Sequence, residues 1–233
     1  MRAKDFVKNN VAYHQELNPV AWDNNAMVPE VRERLLEIAE RFVHYLEIPN
    51  FKVEDVVLTG SMANYNWTKF SDFDIHVVTH YTDLQCDDLA EAFYRAKKKI
   101  WNDEHDITIY GYDTELYVED IAEPPVSEGV YSILHDQWIN TPNYNPPTIN
   151  SAAVNAKVMD LKKQIDVAIS TADDPEDLKR ITDKIRKMRR AGLDSGGEFS
   201  VENLAFKVLR NMKYLDKLSK AYHQQQDDQL SLK

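Results

Sequence analysis

Cysteine is nearly absent from this chain: its 233 residues include one, Cys86. A single thiol cannot close an internal disulfide or build a thiolate zinc cluster, and beside Gln85, Asp87 and Asp88 it reads as incidental. Any metal must therefore be held by oxygen or histidine. Glycine is also scarce, at six residues, while 43% of the chain is hydrophobic, so the composition is that of a globular protein with a real core and not of a disordered or fibrous one. No window approaches the roughly 18 apolar residues of a membrane span, and Met1 to Phe6 lack the apolar stretch of a signal peptide. These absences lead to the expectation of a cytoplasmic protein with no membrane partner. No internal repeat is present, and the one biased tract, Gln224 to Gln226, is expected to fray near the C-terminus.

Positive charge is in short supply too, with a net charge of -11, which argues against a general nucleic-acid binder because phosphate contacts need Lys and Arg. The deficit is uneven. Residues 1–150 carry 12 Lys/Arg against 26 Asp/Glu, whereas residues 151–233 carry 16 against 13. The acidic part calls for counter-cations, and the basic part can meet an anion.

Residues 141–150 contain three prolines and no charge, which suits neither helix nor central strand. This Pro/Asn-rich linker separates residues 1–140 from residues 151–233. Before it, Pro29 opens a helical spacing of Val31, Leu35, Ile38, Ala39, Phe42 and Leu46 that ends ahead of Pro49. Val56-Val57-Leu58 predicts a short buried strand and Ser71 to Val78 a second. Asp87-Asp88 opens a helix with Leu89, Phe93, Ala96 and Ile100 expected inward and Lys97-Lys98-Lys99 near its end, a charge order favoured by the helix dipole. Ile107 to Tyr110, a turn near Gly111 and Glu115 to Val118 predict a hairpin. After the linker the pattern is helical. Val154, Val158, Leu161, Ile165 and Ile169 share one face. Asp174-Pro175 caps a second helix that bears Leu178, Ile181, Ile185 and Met188 and is expected to stop at Gly192. Ser200 caps a third with Leu204, Val208, Met212 and Leu215.

Chemistry concentrates in Val56-Val57-Leu58-Thr59-Gly60-Ser61, a ten-residue gap, and Asp72-Phe73-Asp74-Ile75-His76-Val77-Val78. Side chains alternate along a strand, so Asp72, Asp74 and His76 share one face while Phe73, Ile75 and Val77 share the other. Two neighbouring carboxylates repel unless a cation lies between them, and hard oxygen ligands suit Mg2+ or Mn2+, which keep positions open for phosphate oxygens. That is the arrangement phosphoryl or nucleotidyl transfer needs. A tight turn at Gly60-Ser61 lets backbone approach a triphosphate, and Lys69 is a candidate counter-charge.

These residues resemble the DNA polymerase beta superfamily of nucleotidyltransferases, in which a hydrophobic strand, Gly-Ser, a gap of about ten residues and Asp-x-Asp occur in that order. The resemblance covers roughly residues 53–120 well and the helical part only in general layout. It implies an α/β (α+β) fold: a polymerase-beta-like nucleotidyltransferase domain with a mixed sheet and flanking helices over residues 1–140, then a C-terminal helical domain expected to close over the nucleotide. It implies an NTP substrate, metal ligation by Asp72 and Asp74, nucleotide binding by Gly60, Ser61 and Lys69, and a third carboxylate that completes the metal site and helps activate the acceptor hydroxyl. Glu115 is the choice for that carboxylate, because Leu116 and Val118 would face the core; Asp113 and Glu119 have the same parity and remain alternatives. Asn64 to Trp67 stand where several branches carry a Gly-Thr element, and no template-reading domain follows, which disfavours a template-directed polymerase. Residues 119–121, 131–139 and 196–203 look like segments of nucleotidyltransferase-like proteins of large tailed bacteriophages, an origin that would imply the host cytoplasm.

Haloacid dehalogenase-like phosphatases and metal-dependent glycosyltransferases also use Asp-x-Asp, but their apolar strand precedes the pair, and here it mainly follows. His76, on the carboxylate face, either touches substrate or is a histidine hydrogen-bonded beside the site, and it is left outside the catalytic set. Trp67, Trp101 and Trp138 serve either base stacking or packing. Ser195-Gly196-Gly197-Glu198 is either a phosphate-facing loop or a helix connection. Lys179, Arg180, Lys184, Arg186, Lys187, Arg189 and Arg190, with only Asp183 among them, offer a contact for an RNA acceptor or form a solvated face. The acceptor hydroxyl could thus belong to an RNA 3' end, a nucleotide, a small molecule or a protein. A non-catalytic binding protein of the same fold and an antitoxin-like enzyme that modifies a protein partner are the competing functions.

Overall fold

A computed structural model describes residues 11–84, 87–123 and 127–232, so Cys86 and the first six residues lie outside the described part. The chain divides into two units, a sheet unit, Tyr13–Asn145, and a helical unit formed by residues 146–232 with Val11 and Ala12.

The sheet unit opens with a small hairpin of β1 (Trp22–Asp23) and β2 (Ala26–Met27). Asn24 and Asn25 turn it with φ of 48° and 65°, the paired left-handed conformations that match the twist of a tight hairpin. Helix α1 (Pro29–Leu46) follows. Pro29 presets its first turn without wasting an N–H, and Glu30 and His44 sit at the ends the dipole favours. Val31, Leu35, Ile38, Ala39, Phe42 and Leu46 are all buried, as their spacing predicts. Each large apolar side chain buried this way contributes about 1.5–3 kcal/mol.

The main sheet contains β3 (Asp55–Thr59), β4 (Asp72–Thr79), β5 (Thr108–Ile109), β6 (Tyr112–Asp120), β7 (Val130–Ser132) and β8 (Gln137–Asn140), in the spatial order β5-β6-β4-β3-β7-β8. Strands β4 and β6 run parallel and the other pairs antiparallel, so the sheet is mixed, as expected. A parallel pair needs a crossover, supplied by α2 (Asp87–Glu104) between β4 and β6. Phe73, Ile75 and Val77 are fully buried while Asp72, Asp74 and His76 are half-buried, which is the alternation read from the sequence.

Helix α2 departs from expectation in its rotation. Leu89, Phe93 and Ile100 are exposed, at 64%, 36% and 46%, and Ala96 is exposed with them; Ala90, Tyr94 and Trp101 point inward instead. Both stripes have helical spacing, so periodicity alone cannot choose between them. The choice is made by contacts from elsewhere in the chain. Tyr94 packs on Phe51 and Tyr81, Trp101 on Phe42 and Tyr45, and the Asn102 amide bonds both the N–H and the C=O of Leu116 along the outer edge of β6.

In the helical unit, α3 (Ser151–Thr171), α4 (Pro175–Gly196), α5 (Val201–Asn211) and α6 (Tyr214–Leu230) share one apolar core built from Val154, Val158, Leu161, Leu178, Ile185 and Leu204 among others. Asn150, Asp174 and Ser200 cap α3, α4 and α5 through side-chain oxygens that accept backbone N–H groups. Three expectations are corrected here. Helix α4 does not stop at Gly192; that glycine is buried where a Cβ would press on Glu202 and Ser200, and the helix ends at Gly196. The stripe from Leu204 to Leu215 spans two helices, broken at Lys213, which adopts φ 61° with no glycine or proline to announce it. The glutamine tract is helical within α6, where Gln225 donates to the Ala172 carbonyl at 2.7 Å and so ties it back to the end of α3. Among the described residues, no helix is long and apolar enough to cross a membrane.

Candidate active site

Strand register brings the acidic residues together. Asp74 is paired with Thr59 of β3 on one side and with Glu115 of β6 on the other, and Asp72 is paired with Asp113. Because the β4–β6 pair is parallel and in register, side chains of like parity stand side by side on one face. Asp72, Asp74 and Glu115 each present a carboxylate oxygen, and these oxygens lie within 4.8 Å of one another. This donor set, all oxygen and half-buried, fits a hard divalent cation. Asp113 and Glu119 are placed differently. Asp113 is exposed, and Glu119 pairs with His76 Nδ1 at 2.9 Å.

Gly60, directly after β3, begins a 3-10 turn, Gly60–Ala63, with φ 72°. A Cβ at this position would overlap Asp74 Oδ2. Only glycine meets both demands, the left-handed backbone and the close approach to a carboxylate. Ser61 Oγ donates to Ser71 Oγ at 2.7 Å, and Ser71 Oγ also accepts the Thr68 N–H at 2.9 Å, so the two ends of the ten-residue gap are joined beside the carboxylates. Lys69 is exposed, with its ammonium over the Phe70 ring at 4.9 Å.

Two groups at the site were not singled out from the sequence. The Tyr117 hydroxyl donates to Glu115 Oε2 at 2.5 Å. Its ring stacks on His76 with centroids 4.6 Å apart and planes 8° from parallel, and Lys98 Nζ lies 3.3 Å from the ring centroid. Burial, then the Asp74 and Glu115 carboxylates, push the Tyr117 phenol well above its ordinary range, so it remains a donor. Burial lowers the Lys98 ammonium, and the charges of Glu115, Asp74 and Asp72 oppose that shift. Tyr117 was legible in principle, since it shares the parity of Glu115. Lys98 was not, because its direction depends on the rotation of α2.

His76 is held by Glu119 and by Thr59 Oγ1, the latter at 3.2 Å from Nε2. Each of the three tryptophans packs on a neighbouring ring. Trp67 stacks on His14, Trp101 is buried against Phe42, and Trp138 stacks on Trp22 and donates to the Asn25 carbonyl. The basic residues of α4 belong to the helical unit and are engaged locally in part. Lys179 pairs with Glu176, Arg180 with Asp177, Lys184 bonds Gln164, and Arg189 lies over Phe206 while bonding Asn203. Arg186, Lys187 and Arg190 are exposed. Ser195 and Gly196 form the last turn of α4, Gly197 caps it with φ 67°, and Glu198 pairs with Lys207, so this segment is a helix connection.

No family model matches the chain, and no curated protein matches it. Among solved structures, a weak likeness links it to a STING-associated CdnE c-di-GMP synthase from Capnocytophaga granulosa, at 13% identity and a TM-score of 0.22 over 87% of this chain and 84% of that one. A likeness of that size carries no argument about the site, whose description rests on its own geometry.

Proposed function

We propose that this protein is a metal-dependent nucleotidyltransferase that moves a nucleoside monophosphate from an NTP to an acceptor hydroxyl and releases pyrophosphate. The observation that carries this reading is the in-register pairing of Asp74 with Glu115, which with Asp72 gathers three carboxylate oxygens within 4.8 Å. Asp72, Asp74 and Glu115 would hold Mg2+ or Mn2+, which when bound neutralises phosphate charge and polarises the reacting phosphorus. Glu115 accepts the acceptor's proton as its oxygen bonds the α-phosphorus and the bond to the pyrophosphate oxygen breaks. Tyr117 holds Glu115 in one orientation through its hydroxyl. The Gly60–Ser61 turn brings backbone to the triphosphate, and Lys69 supplies a nearby cation. The acceptor is a hydroxyl of RNA, a nucleotide, a small molecule or a protein.

The test is pyrophosphate release from each NTP with Mg2+ or Mn2+, with and without total RNA. Asp74→Ala should lower the rate by about 10²- to 10³-fold, the scale on which losing one oriented electrostatic contact acts. Unchanged turnover in Asp74→Ala would refute the assignment. Silence of the wild type with every NTP would favour a binding role or an acceptor protein missing from the assay.

A further inference from the structure

The site face has a direction. Across it run β3 with Gly60 at its end, then β4 with Asp72 and Asp74, then β6 with Glu115 and Tyr117, and finally α2 along the outer edge of β6. Gly60 touches the triad at Asp74, on the β3 side. Lys98 lies on the far side, over the ring of the tyrosine that bonds Glu115. If the triphosphate lies at the Gly60–Ser61 turn, the acceptor approaches from the flank that Lys98 occupies.

Lys98 is also set apart from its neighbours in the Lys97-Lys98-Lys99 run. Lys97 donates to the Tyr45 carbonyl at 3.3 Å and lies over that ring, and Lys99 is exposed. Lys98 is half-buried and held against Tyr117 at 3.3 Å. In a chain of net charge -11, an anionic acceptor faces repulsion from three carboxylates, and a fixed ammonium on its side of the site offsets that repulsion. A cationic acceptor such as an aminoglycoside would meet the ammonium instead.

Resting on the nucleotidyl-transfer reading above, we propose that Lys98 binds an anionic group of the acceptor, so that the acceptor is a phosphate-bearing molecule. A free nucleotide and a phosphorylated oligonucleotide end share this chemistry. The transfer itself stays balanced as before: the acceptor oxygen bonds the α-phosphorus, pyrophosphate leaves, and the hydroxyl proton passes to Glu115. Lys98 gains and loses no proton in it.

The experiment uses the full chain, with wild type, Lys98→Gln and Lys98→Arg checked for equal thermal melting. Pyrophosphate release at saturating NTP and Mn2+ is measured with a nucleoside 5'-monophosphate, a short 5'-phosphorylated oligonucleotide and, as dephosphorylated acceptors, the free nucleoside and an uncharged methylphosphonate-linked oligonucleotide. Lys98→Gln should raise KM for the phosphorylated acceptor about tenfold, the scale of one charge-assisted hydrogen bond, with kcat, the KM for NTP and Mn2+ affinity nearly unchanged. Dephosphorylated acceptors should not distinguish the variants, and Lys98→Arg should keep most of the wild-type preference. The mononucleotide and oligonucleotide arms tell the two phosphate sources apart. An increase confined to the KM for NTP, no change at all, or a wild-type preference for dephosphorylated acceptors would overturn the proposal. Calorimetry with a 3'-deoxynucleoside 5'-monophosphate, with and without a non-hydrolysable NTP analogue, separates the two failures. If the wild type releases no pyrophosphate with any of these acceptors, nucleotidyl transfer to them fails, while weaker monophosphate binding by Lys98→Gln would still support an anion site at Lys98 and equal binding would refute it.

Discussion

Asp74 and Lys179 are both charged residues on regular elements, yet their surroundings differ in kind. Asp74 stands on a central strand between Thr59 and Glu115, with Gly60 pressed against its carboxylate. Lys179 lies on the surface of α4 and pairs with Glu176 one turn back. In the sheet unit, charge is gathered from β4, β6 and α2 and held by register. On α4, Lys179 and Arg180 are each met by a carboxylate three residues away, the arrangement a solvated helix adopts without any partner. Clusters assembled from distant parts of a chain cannot relax locally, so they are the ones able to hold a metal or a substrate in fixed geometry.

The strongest challenge to this contrast is the double change Asp72→Ala/Asp74→Ala. Pyrophosphate release should vanish, while the melting temperature holds or rises because mutual carboxylate repulsion is removed. Gly60→Ala comes next. It forces a side chain into a left-handed backbone against Asp74, so turnover should fall by at least about tenfold and stability by roughly 1–2 kcal/mol in urea unfolding. Tyr117→Phe keeps the ring and loses the hydroxyl, so kcat should drop about tenfold with the KM for NTP held; an unchanged kcat would show that Glu115 needs no orientation. In the helical unit, Gly192→Val should overpack the approach to Glu202 and Ser200 and destabilise by about 1–3 kcal/mol, read as a lower helical melting temperature. Smallest of all, Lys179→Ala with Arg180→Ala should leave the melting curve unchanged, because exposed one-turn ion pairs contribute little. A clear loss of RNA-stimulated turnover in that variant would instead give α4 an acceptor role.

Much of the site could be read from residue order because a strand's alternation is a local property. Asp72 and Asp74 follow from parity and from the apolar residues between them, while parity puts Glu115 on the same face together with Asp113 and Glu119. Gly60 was legible as a turn, although its contact with Asp74 was not. Periodicity failed where two answers had the same spacing, as on α2, where Leu89, Phe93 and Ile100 face outward while Ala90, Tyr94 and Trp101 face in. It failed again at Lys213, where a helix breaks with no residue that requires the break.

Residue order alone was enough for the facing of Asp72 and Asp74, the apolar helix stripes of α1 and α3, and the caps at Asp174 and Ser200, because dihedral periodicity and short-range hydrogen bonds settle these within a few residues; the cap at Asn150, at the end of the proline-rich segment, was not read from it. Long-range packing was needed to select Glu115, and not Asp113 or Glu119, as the carboxylate within reach of both aspartates, to commit Glu119 to His76, and to turn Lys98 toward the site. Those outcomes depend on strand register and helix rotation, which are set by contacts between segments far apart in the chain, and no local pattern encodes them.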